Sequence, residues 1–476
     1  MLRRSLTGLG LGLFFIATLA TAGPAALAAD QVRELTLAEC VRLAVESNTD
    51  LAKGKLDRSL SQLDRRIGQT YFHPDLYLYP ETDYRTDDDG RLRFILGTDV
   101  VQRIPTGGQV TLGWDNSFNR YTGLSEQDWT SRFSIKFNQP LLRGAGLEVG
   151  RSPVVLSGLD DDEDRLGYEW LITRQITQVQ KRYWDLLLAE ENLKVAQQAL
   201  DQNRRWLEEA RKRNQPDEIL DLEAEVADSE LDVSERLLSE ARANLRLLDL
   251  LDLPGVRRIK PKGRFEFKPV EVDLDRCLKT ALEKRPDFNR TKVLVDSARL
   301  KAVVARSNAK QDLDLTVEAA TNATEDDFGE AVKAAFDLGQ EWIFSLGAEV
   351  RFGVPGRNRD AVAADYRYRK AKLDLKERLQ SVRNDVTTAV YSLQRSLKSI
   401  ALAQRAVKLA REKLSAARQR LIRGQGNNLK VVIYQRDLTE ARLREARSIV
   451  QYLADLADLD QAMGTTLDTW RISLAP

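Results

Sequence analysis

The sequence predicts a chain of mixed α and β structure that is mainly helical and is built from two copies of one unit. Three observations support this fold class: a doubled helix entrance, segments in which apolar and polar residues alternate, and long charged helical segments. By helix entrance we mean the segment in which a short helix begins and leads into a second helix. Its two copies are "LTLAECVRLAVESNTDL" at 35–51 and "VDLDRCLKTALEKRPDF" at 272–288. Thr36 with Glu39, and Asp273 in the second copy, are residues that cap helices. We therefore expect a short capped helix followed by a second helix in both copies.

The first residues have the composition of a secretory leader. The basic "MLRRS" precedes an apolar run, and "ALA" at 26–28 forms a small-x-small cleavage site. We expect residues 1–29 to be a signal peptide, cut after Ala28 or Ala29, which sends the mature chain to the periplasm of a Gram-negative cell or outside it. No later stretch approaches the ~20 apolar residues of a membrane helix. A passage of this chain through a bilayer would therefore use strands.

Four segments alternate between apolar and polar residues, which is the pattern of a strand with one apolar face. "DLYLYPETDY" (75–84) is matched 237 positions later by "DLDLTVEA" (312–319). "SRFSIKFNQP" (131–140) is matched by "EWIFSLGAEVRFGVP" (341–355), and both end at a proline, which cannot continue a ladder. The candidate lipid-facing positions on these strands are Leu76, Leu78, Phe133, Ile135, Leu313, Leu315, Phe344, Leu346 and Val350.

The alternation has two interpretations. Tilted strands of ~9–11 residues cross a bilayer, where a closed barrel leaves no backbone group unpaired in lipid. A periplasmic β-sandwich with half-buried strands would show the same alternation. Because two strands per copy cannot close a barrel, the spanning interpretation requires several chains to assemble.

Long helical segments follow the strands in each copy. Helical patterns at about 166–213 and 357–423 predict rods of roughly 70 and 100 Å at 1.5 Å per residue. They end at the turns "RNQPDEI" and "RGQGNNL", and helices return at 217–251 and 429–463. Their charged, glycine-poor surfaces are typical of helices that pack side by side.

The two copies differ by a surplus in the first. The offset between matching residues falls from 237 to 207, so the first copy holds 30 residues that the second lacks. Most of them lie at about 87–127, where alternating segments around a "PTGG" turn predict an extra β-hairpin. We expect a first repeat at 30–252, an inter-repeat linker at 253–269, a second repeat at 270–464 and a C-terminal tail at 465–476.

The composition argues against several functional classes. A net charge of +1 indicates no nucleic-acid partner. The chain has only two cysteines and one histidine, so few side chains are available to bind a metal or to act as a nucleophile. Since no Ser/His/Asp set, phosphate loop or zinc motif occurs, we expect no enzyme activity and no catalytic, cofactor or metal-binding residue. The acidic run at 160–164 lacks the glycine and ligand spacing of a calcium loop and indicates a solvated charged surface.

The two cysteines occupy matching places in the duplicated unit. Cys40 and Cys277 would lie in an oxidising compartment, where a disulfide can form. Duplication tends to separate matching positions onto different faces of an assembly. We therefore expect no bridge within the chain.

With its doubled entrance, the strand ends "FNQPLLRG" and "FGVPGR", and the helix "VYSLQRSLKSIALAQRAVKLAREKLSAARQRLIRGQGNN", the chain resembles the TolC-like outer-membrane factor (outer membrane efflux protein) family. The resemblance covers essentially the whole mature chain. It implies long antiparallel periplasmic helical hairpins that form an α-barrel, and strands of three chains that share one outer-membrane barrel. The function that the resemblance implies is that of a passive conduit in a tripartite efflux or type I secretion system. The implied location is the outer membrane, with a large periplasmic portion. A periplasmic coiled-coil adaptor and a structural envelope protein are the alternatives.

The resemblance also implies partners and a contact region. The partners are two further copies in a homotrimer, outer-membrane lipid, and a periplasmic adaptor (membrane fusion protein) that leads to an inner-membrane transporter. Adaptor contact is expected at the periplasmic tip formed by the two helix turns. The tip residues are Asp217, Glu218, Asp221, Gly424, Gly426 and Asn427.

Each tip feature has a simpler structural interpretation. The three acidic residues are also ordinary partners of a helix N-terminus, and the glycines suit any tight turn between helices. Lys430 and Ile433 stand where the family often carries aspartates, so an aspartate cation gate is not expected at the second turn. Of the two possibilities for the extra hairpin, we favour the family's four spanning strands per chain over six.

Overall fold

The computed structural model describes residues 31–85, 91–121, 127–213, 216–253, 255–263, 265–336, 341–349, 358–423, 425 and 428–473. The signal peptide expected at 1–29 lies outside these residues. The first half contains β1 (Gln31–Leu35), α1 (Leu37–Ser47), α2 (Thr49–Gln69), β2 (Asp75–Arg85), β3 (Arg91–Arg103), β4 (Gln109–Tyr121), β5 (Gln127–Pro140), α3 (Leu147–Gly150), α4 (Ser152–Arg213) and α5 (Pro216–Leu251).

The second half repeats this order without the extra strands, and it has an additional short helix, α8 (Phe328–Phe336), between its two strands. A linker strand precedes it, and a short helix follows it near the C-terminal end of the described chain. Its elements are β6 (Val256–Pro261), α6 (Leu274–Lys284), α7 (Pro286–Asn308), β7 (Asp312–Glu325), α8 (Phe328–Phe336), β8 (Glu341–Glu349), α9 (Arg359–Ile422), α10 (Asn428–Met463) and α11 (Thr466–Trp470). The predicted order of short helix, helix, strands, long helix and returning helix is present in both halves. The domain boundaries themselves stay a prediction.

The doubled helix entrance forms as its capping residues predict. Thr36 Oγ1 accepts a hydrogen bond from the backbone N–H of Glu39 (3.3 Å), and the Glu39 carboxylate accepts one from the N–H of Thr36 (2.7 Å). This reciprocal pair satisfies backbone donors at the start of α1 that no helical carbonyl can reach. In the second copy, the Asp273 carboxylate accepts a hydrogen bond from the N–H of Asp275 (3.2 Å) at the start of α6.

Each half has its own hydrophobic core, and matching residues build the two cores. Cys40, Ala44 and Leu51 are buried in the first core, and their counterparts Cys277, Ala281 and Phe288 are buried in the second. The long helices contribute equivalent pairs in the same way. These are Val179 with Val386, Leu186 with Leu393, and Leu247 with Leu459. The two halves therefore share the packing of their cores as well as their sequence pattern.

Both cysteines are buried and unbridged. Burial away from water, together with the nearby Glu39, raises the pKa of the Cys40 thiol to about 12. Burial likewise raises the pKa of Cys277. Each sulfhydryl therefore behaves as a small apolar side chain in its own core.

The linker between the halves is fixed by two buried tyrosines. The Tyr183 hydroxyl of α4 donates to the carbonyl of Lys262 (2.8 Å), and the Tyr452 hydroxyl of α10 donates to the carbonyl of Lys268 (2.8 Å). The linker strand β6 also pairs in parallel with β1. The segment that joins the repeats is thus held against both cores.

Six strands form one antiparallel sheet in the order β2-β3-β4-β5-β7-β8. The extra hairpin predicted at about 87–127 supplies β3 and β4, which lie inside the sheet between β2 and β5. The chain therefore contributes six strands to the sheet, whereas the sequence analysis favoured four. The two halves meet at the β5–β7 pair, where Phe133 lies opposite Thr321.

The two longest helices have nearly equal lengths. α4 has 62 residues and α9 has 64, so each is a rod of roughly 95 Å. The sequence analysis expected α4 to begin near 166, and this was wrong by about four turns because its first turns carry Pro153 and the acidic run. A proline is tolerated in the first turn of a helix, where its missing N–H has no helical partner. Among the described residues, each helix is either too short or too polar to traverse a lipid bilayer.

The acidic run is only partly solvated, because Asp161 is buried between α4 and α2. Its carboxylate contacts Arg58 and lies 2.7 Å from Arg65, and its own exposed fraction is 2%. Asp162, one residue further, remains 45% exposed and pairs with Arg165. The expectation that the whole acidic run is solvated is therefore wrong for Asp161. The number of acidic residues in the run does not reveal which of them lies on the buried side of the helix.

We expect Asp161→Asn to lower the free energy of unfolding by about 2 kcal/mol, because it leaves two arginines at a buried site without their counter-charge. Denaturant titration of the purified protein, followed by circular dichroism, measures this change. Asp162→Asn is the matched control, and we expect it to cost less than about 0.5 kcal/mol because its ion pair is exposed. Equal losses for the two variants would contradict the role assigned to Asp161.

Candidate functional site: a two-faced sheet and two helical hairpins

Strand register brings the predicted apolar positions to one face of the sheet. Leu76 lies opposite Val100 of β3, which in turn lies opposite Leu112 of β4. Leu112 lies opposite Ile135 of β5, and Leu315 of β7 lies opposite Leu346 of β8. Since partners in a ladder point to the same side, these residues share one face. We call it the apolar face; its positions include Leu76, Leu78, Phe94, Leu96, Val100, Leu112, Ile135, Leu313, Leu315 and Leu346.

Much of the apolar face is open in the single chain. Leu78 is 66% exposed and Leu346 is 67% exposed, while Leu315 is 37% exposed. Phe94 and Leu96, from the extra hairpin, are also exposed and were absent from the predicted set, although alternation in their segment could have identified them. A contiguous apolar surface of this kind indicates contact with lipid or with protein.

One predicted position is covered by a helix of the chain itself. The ring of Phe133 lies 5.4 Å from that of Phe336 on α8, and the Thr321 hydroxyl donates to the carbonyl of Ala335 (2.5 Å). At the other end of α8, Phe328 packs 5.1 Å from Trp129. α8 therefore lies over the apolar face at β5 and β7, so in this chain Phe133 faces a helix rather than lipid.

Two further predicted positions are not described at the level of their side chains. Val350 lies outside the described residues, and the Phe344 side chain is also outside the description. The backbone of Phe344 pairs with Val317, which places this position in register with the apolar face.

The opposite face, called here the polar face, carries charged and hydroxyl groups. Arg132 of β5 and Glu318 of β7 form an ion pair of 2.9 Å across the junction of the two repeats. The Tyr79 hydroxyl of β2 donates to Asp115 of β4 (2.7 Å), across the intervening strand. Such cross-strand contacts suit a water-filled surface, where each pair adds modest stability and keeps the strands in register.

The sheet ends at two edge strands, β2 and β8, in the described part of the chain. The outer edge of each strand carries backbone N–H and C=O groups that no neighbouring described strand can satisfy. Open edges of this kind pair readily with another strand. The sheet is therefore suited to join sheets of further copies.

Two antiparallel helical hairpins, α4–α5 and α9–α10, lead away from the sheet to two turns. Leu207, Ala210 and Leu222 form a small buried cluster near the first turn. Leu414, Leu438 and Ala441 belong to a similar cluster near the second. These clusters hold the ends of each hairpin together with few side chains, so the tips depend on a handful of contacts.

The predicted tip residues are only partly described. Asp221 lies near the start of α5 and is exposed, as are Lys430 and Ile433 near the start of α10. The side chains of Asp217 and Glu218 lie outside the description, and so do Gly424, Gly426 and Asn427. Within the described residues, no group of three or more histidine, cysteine or carboxylate side chains is arranged to hold a metal ion.

Comparison with known proteins identifies the second half of the chain. Residues 277–465 match the family described as outer membrane efflux protein. Among curated protein sequences, none matches the chain significantly.

Solved structures match the fold over nearly the whole chain. The MtrE outer membrane channel of Neisseria gonorrhoeae, in its open state, is 17% identical with a TM-score of 0.65, over 90% of this chain and 89% of that one. The CmeC outer membrane channel of Campylobacter jejuni is 14% identical with a TM-score of 0.65, over 90% and 86%. The outer membrane protein VceC of Vibrio cholerae is 14% identical with a TM-score of 0.63, over 90% and 96%. The expected fold class is confirmed.

We expect Leu222→Ala to loosen the first hairpin tip by about 2 kcal/mol, because it removes one of the three buried residues of a small cluster. Hydrogen exchange should then accelerate near Leu207 and Leu222, while the second tip keeps its protection.

The matched control for this change is Leu220→Ala. Leu220 is 71% exposed two residues away, so its truncation should leave exchange at both tips unaltered. Faster exchange in both variants, or in neither, would show that the cluster does not hold the tip.

Proposed function

We propose that the chain belongs to the TolC-like outer membrane efflux protein family and that it acts as the outer-membrane channel of a tripartite efflux system. The match of residues 277–465 to the outer membrane efflux protein family supports this proposal. Three copies join their sheets into one barrel in the outer membrane and their hairpins into a tunnel in the periplasm. The assembly is a passive conduit from periplasm to exterior. The lipid-facing surface is the apolar face, and the polar face lines the water-filled interior.

The observation that carries the proposal is the sheet with one open apolar face and two open edges. A sheet in contact with hydrocarbon must satisfy its edge N–H and C=O groups, because no water is present to do so. β2 and β8 are the edges of one described chain, so β8 of one copy pairing with β2 of the next removes every edge once the ring closes. With six strands per chain, three copies would supply eighteen strands.

The helical hairpins support the periplasmic part of the proposal. Rods of roughly 95 Å extend far beyond a bilayer whose hydrocarbon core is about 30 Å thick. We propose that the two turns at their ends meet a periplasmic adaptor, which connects the tunnel to an inner-membrane transporter. Asp221 and the neighbouring acidic positions Asp217 and Glu218 would face that partner, as would Gly424, Gly426 and Asn427.

In this proposal the inner-membrane transporter selects the cargo, and the channel does not. Efflux of small molecules and type I secretion of proteins both suit a wide aqueous duct, which offers cargo little to recognise. The described residues include no catalytic constellation that would add chemistry to transport. An adaptor role fits less well, since an adaptor has a single helical hairpin and this chain has two within a duplicated unit.

The proposed function is tested by the conductance of purified oligomers in planar lipid bilayers. We expect discrete current steps that scale with salt concentration, as a water-filled pore requires. The same protein after irreversible heat unfolding is the control. A correctly folded oligomer that inserts but carries no current under any voltage or pH would instead favour a structural envelope protein.

We expect Leu315→Arg to reduce the amount of assembled protein in the outer membrane severalfold. An arginine on the lipid side of a strand costs about 2–4 kcal/mol near the bilayer midplane. Outer-membrane fractionation with immunoblotting measures the effect.

Thr316→Arg is the matched control, because Thr316 is the next residue of β7 and lies on the polar face. We expect it to assemble at close to the normal level. Equal tolerance of arginine at both positions would overturn the assignment of the two faces.

A further inference from the structure

The extra hairpin, β3 and β4, is a full part of the sheet and not an appendage to it. β3 pairs with β2 over residues 91–101, and β4 pairs with β5 over residues 109–120. The hairpin also continues the apolar face of its neighbours, since Leu112 of β4 lies opposite both Val100 and Ile135. β3 and β4 therefore cross the same layer as β2 and β5.

The turn of the extra hairpin lies at the end of the sheet from which the long helices leave. The backbone N–H of Gly146 donates to the carbonyl of Thr106 (3.0 Å), and the Thr106 hydroxyl donates to the side-chain carbonyl of Gln139 (2.7 Å). Gly150 lies so close to the turn that a Cβ there would overlap the carbonyl of Pro105. Since Gly146 and Gly150 connect β5 to α4, the hairpin is fixed where the strands give way to helices.

Four helices of each chain meet this end of the sheet. α2 leads into β2 and α7 leads into β7, while α4 follows β5 and α9 follows β8. They form a wall, because α2 packs on α4, α4 packs on α7 and α7 packs on α9. Packed helices lie about 8–10 Å apart, so four of them occupy roughly 32–40 Å of a ring when the spacing to the next copy is included.

The width of the six-stranded sheet matches that of the helical wall. Neighbouring strands lie about 4.8 Å apart and tilt by about 40° in a barrel, so six strands occupy roughly 38 Å of the ring. The four strands that remain without the hairpin, β2, β5, β7 and β8, would occupy only roughly 25 Å. The extra hairpin therefore makes up the difference between a sheet of four strands and a wall of four helices.

Three such sheets enclose a wide lumen once they join. Eighteen strands give a barrel roughly 36 Å across between opposite backbones, whereas twelve strands give one of roughly 24 Å. A layer of side chains about 5 Å deep on each wall leaves free widths of roughly 26 Å and 14 Å. The hairpin thus nearly doubles the free width of the lumen.

The polar face, in the described part of the chain, keeps this lumen open. Gly113 of β4 and Ser134 of β5 lie opposite each other, and their short side chains project little. The Tyr79 ring lies over Gly97 of β3 while its hydroxyl reaches Asp115 of β4, so the ring follows the sheet instead of projecting from it. α8 packs on the apolar face and therefore does not enter the lumen.

We propose that the extra hairpin widens the outer-membrane part of the duct to the width of its helical part, so that the duct passes cargo as bulky as a small folded polypeptide. This inference rests on the proposed trimeric channel. A folded chain of about 40 residues has a radius of gyration of about 9 Å and is roughly 23 Å across, so it fits the wider lumen and not the narrower one. The width sets an upper limit on cargo, and the choice among smaller cargo remains with the transporter.

Thiol labelling of intact cells tests the width of the lumen. Lys136 is exposed on the polar face near the helical end of β5, and Thr324 is exposed on the same face near the far end of β7. Lys136→Cys and Thr324→Cys are made separately. Each variant is treated from outside with a small fluorescent maleimide or with a maleimide-polyethylene glycol about 20 Å across, a size between the two free widths. Fluorescence and mobility on a denaturing gel measure the two reactions, and the native cysteines are buried and do not react.

The full chain decides first. We expect the polymer to label the Lys136→Cys variant at a rate within about threefold of the Thr324→Cys variant, because a lumen of eighteen strands admits it. Labelling of the Thr324→Cys variant alone by the polymer, with both variants labelled by the small maleimide, would overturn the inference and leave the proposed function standing. If the small maleimide also fails to reach position 136, the lumen is not a water-filled duct and both are overturned.

Deletion of residues 91–126 is the matched comparison. It removes β3 and β4, joins β2 to β5 through residues 86–90, and keeps the direction of each remaining strand. In this background we expect the polymer to label the Lys136→Cys variant at least about tenfold more slowly, while the small maleimide reacts as before. Equal labelling by the polymer with and without the hairpin would overturn its role in setting the width. If the shortened chain does not reach the outer membrane, the result with the full chain decides alone.

Discussion

The edge of a β-sheet carries hydrogen-bonding groups that must find partners, and in a bilayer only protein can supply them. The rest of this architecture depends on that constraint. The six-stranded sheet has an open apolar face and ends at β2 on one side and β8 on the other. No described strand of a single chain satisfies either edge, so a location of this sheet in a membrane would require several copies to assemble. The helices must then pack between copies wherever the strands bring the copies together.

Duplication allows the surfaces of the two repeats to be compared position by position. The two repeats keep the same core positions but differ on their surfaces. Leu166 of α4 and its equivalent Leu373 of α9 illustrate this, since one is buried by α7 and the other is open. A ring of alternating first and second repeats has two kinds of junction, one within a chain and one between chains. Exposed apolar residues on α2 and α9 are therefore expected features of one part of a ring.

Most of the fold could be predicted because its signals are local and repeated. The capping box at Thr36, the period-two alternation and the two long helical patterns each depend on neighbours close in the sequence. Matching the two halves then strengthened each assignment. The apolar face followed from the same alternation, and the ladder register across six strands agrees with it at every described position of the predicted set. Phe133 shares this face but lies beneath α8.

The structural features that could not be predicted from the sequence depend on contacts between distant segments of the chain. α8 arises in a short stretch between two strands, and only the folded chain places Phe336 over Phe133. Burial of Asp161 depends on two arginines about a hundred residues earlier. The joining of the two repeats through β5 and β7 likewise depends on pairing between strands that are far apart in the sequence.

Spin labels placed one at a time along residues 313–318 of β7, in the purified oligomer in lipid vesicles, test the central claim most directly. Relaxation by oxygen, which concentrates in lipid, and by a water-soluble nickel complex is measured at each position. The account predicts that oxygen dominates at Leu313, Leu315 and Val317 and that nickel dominates at Asp314, Thr316 and Glu318. Accessibility without a period of two, or no access to oxygen at any of the six positions, would contradict a sheet that separates lipid from water.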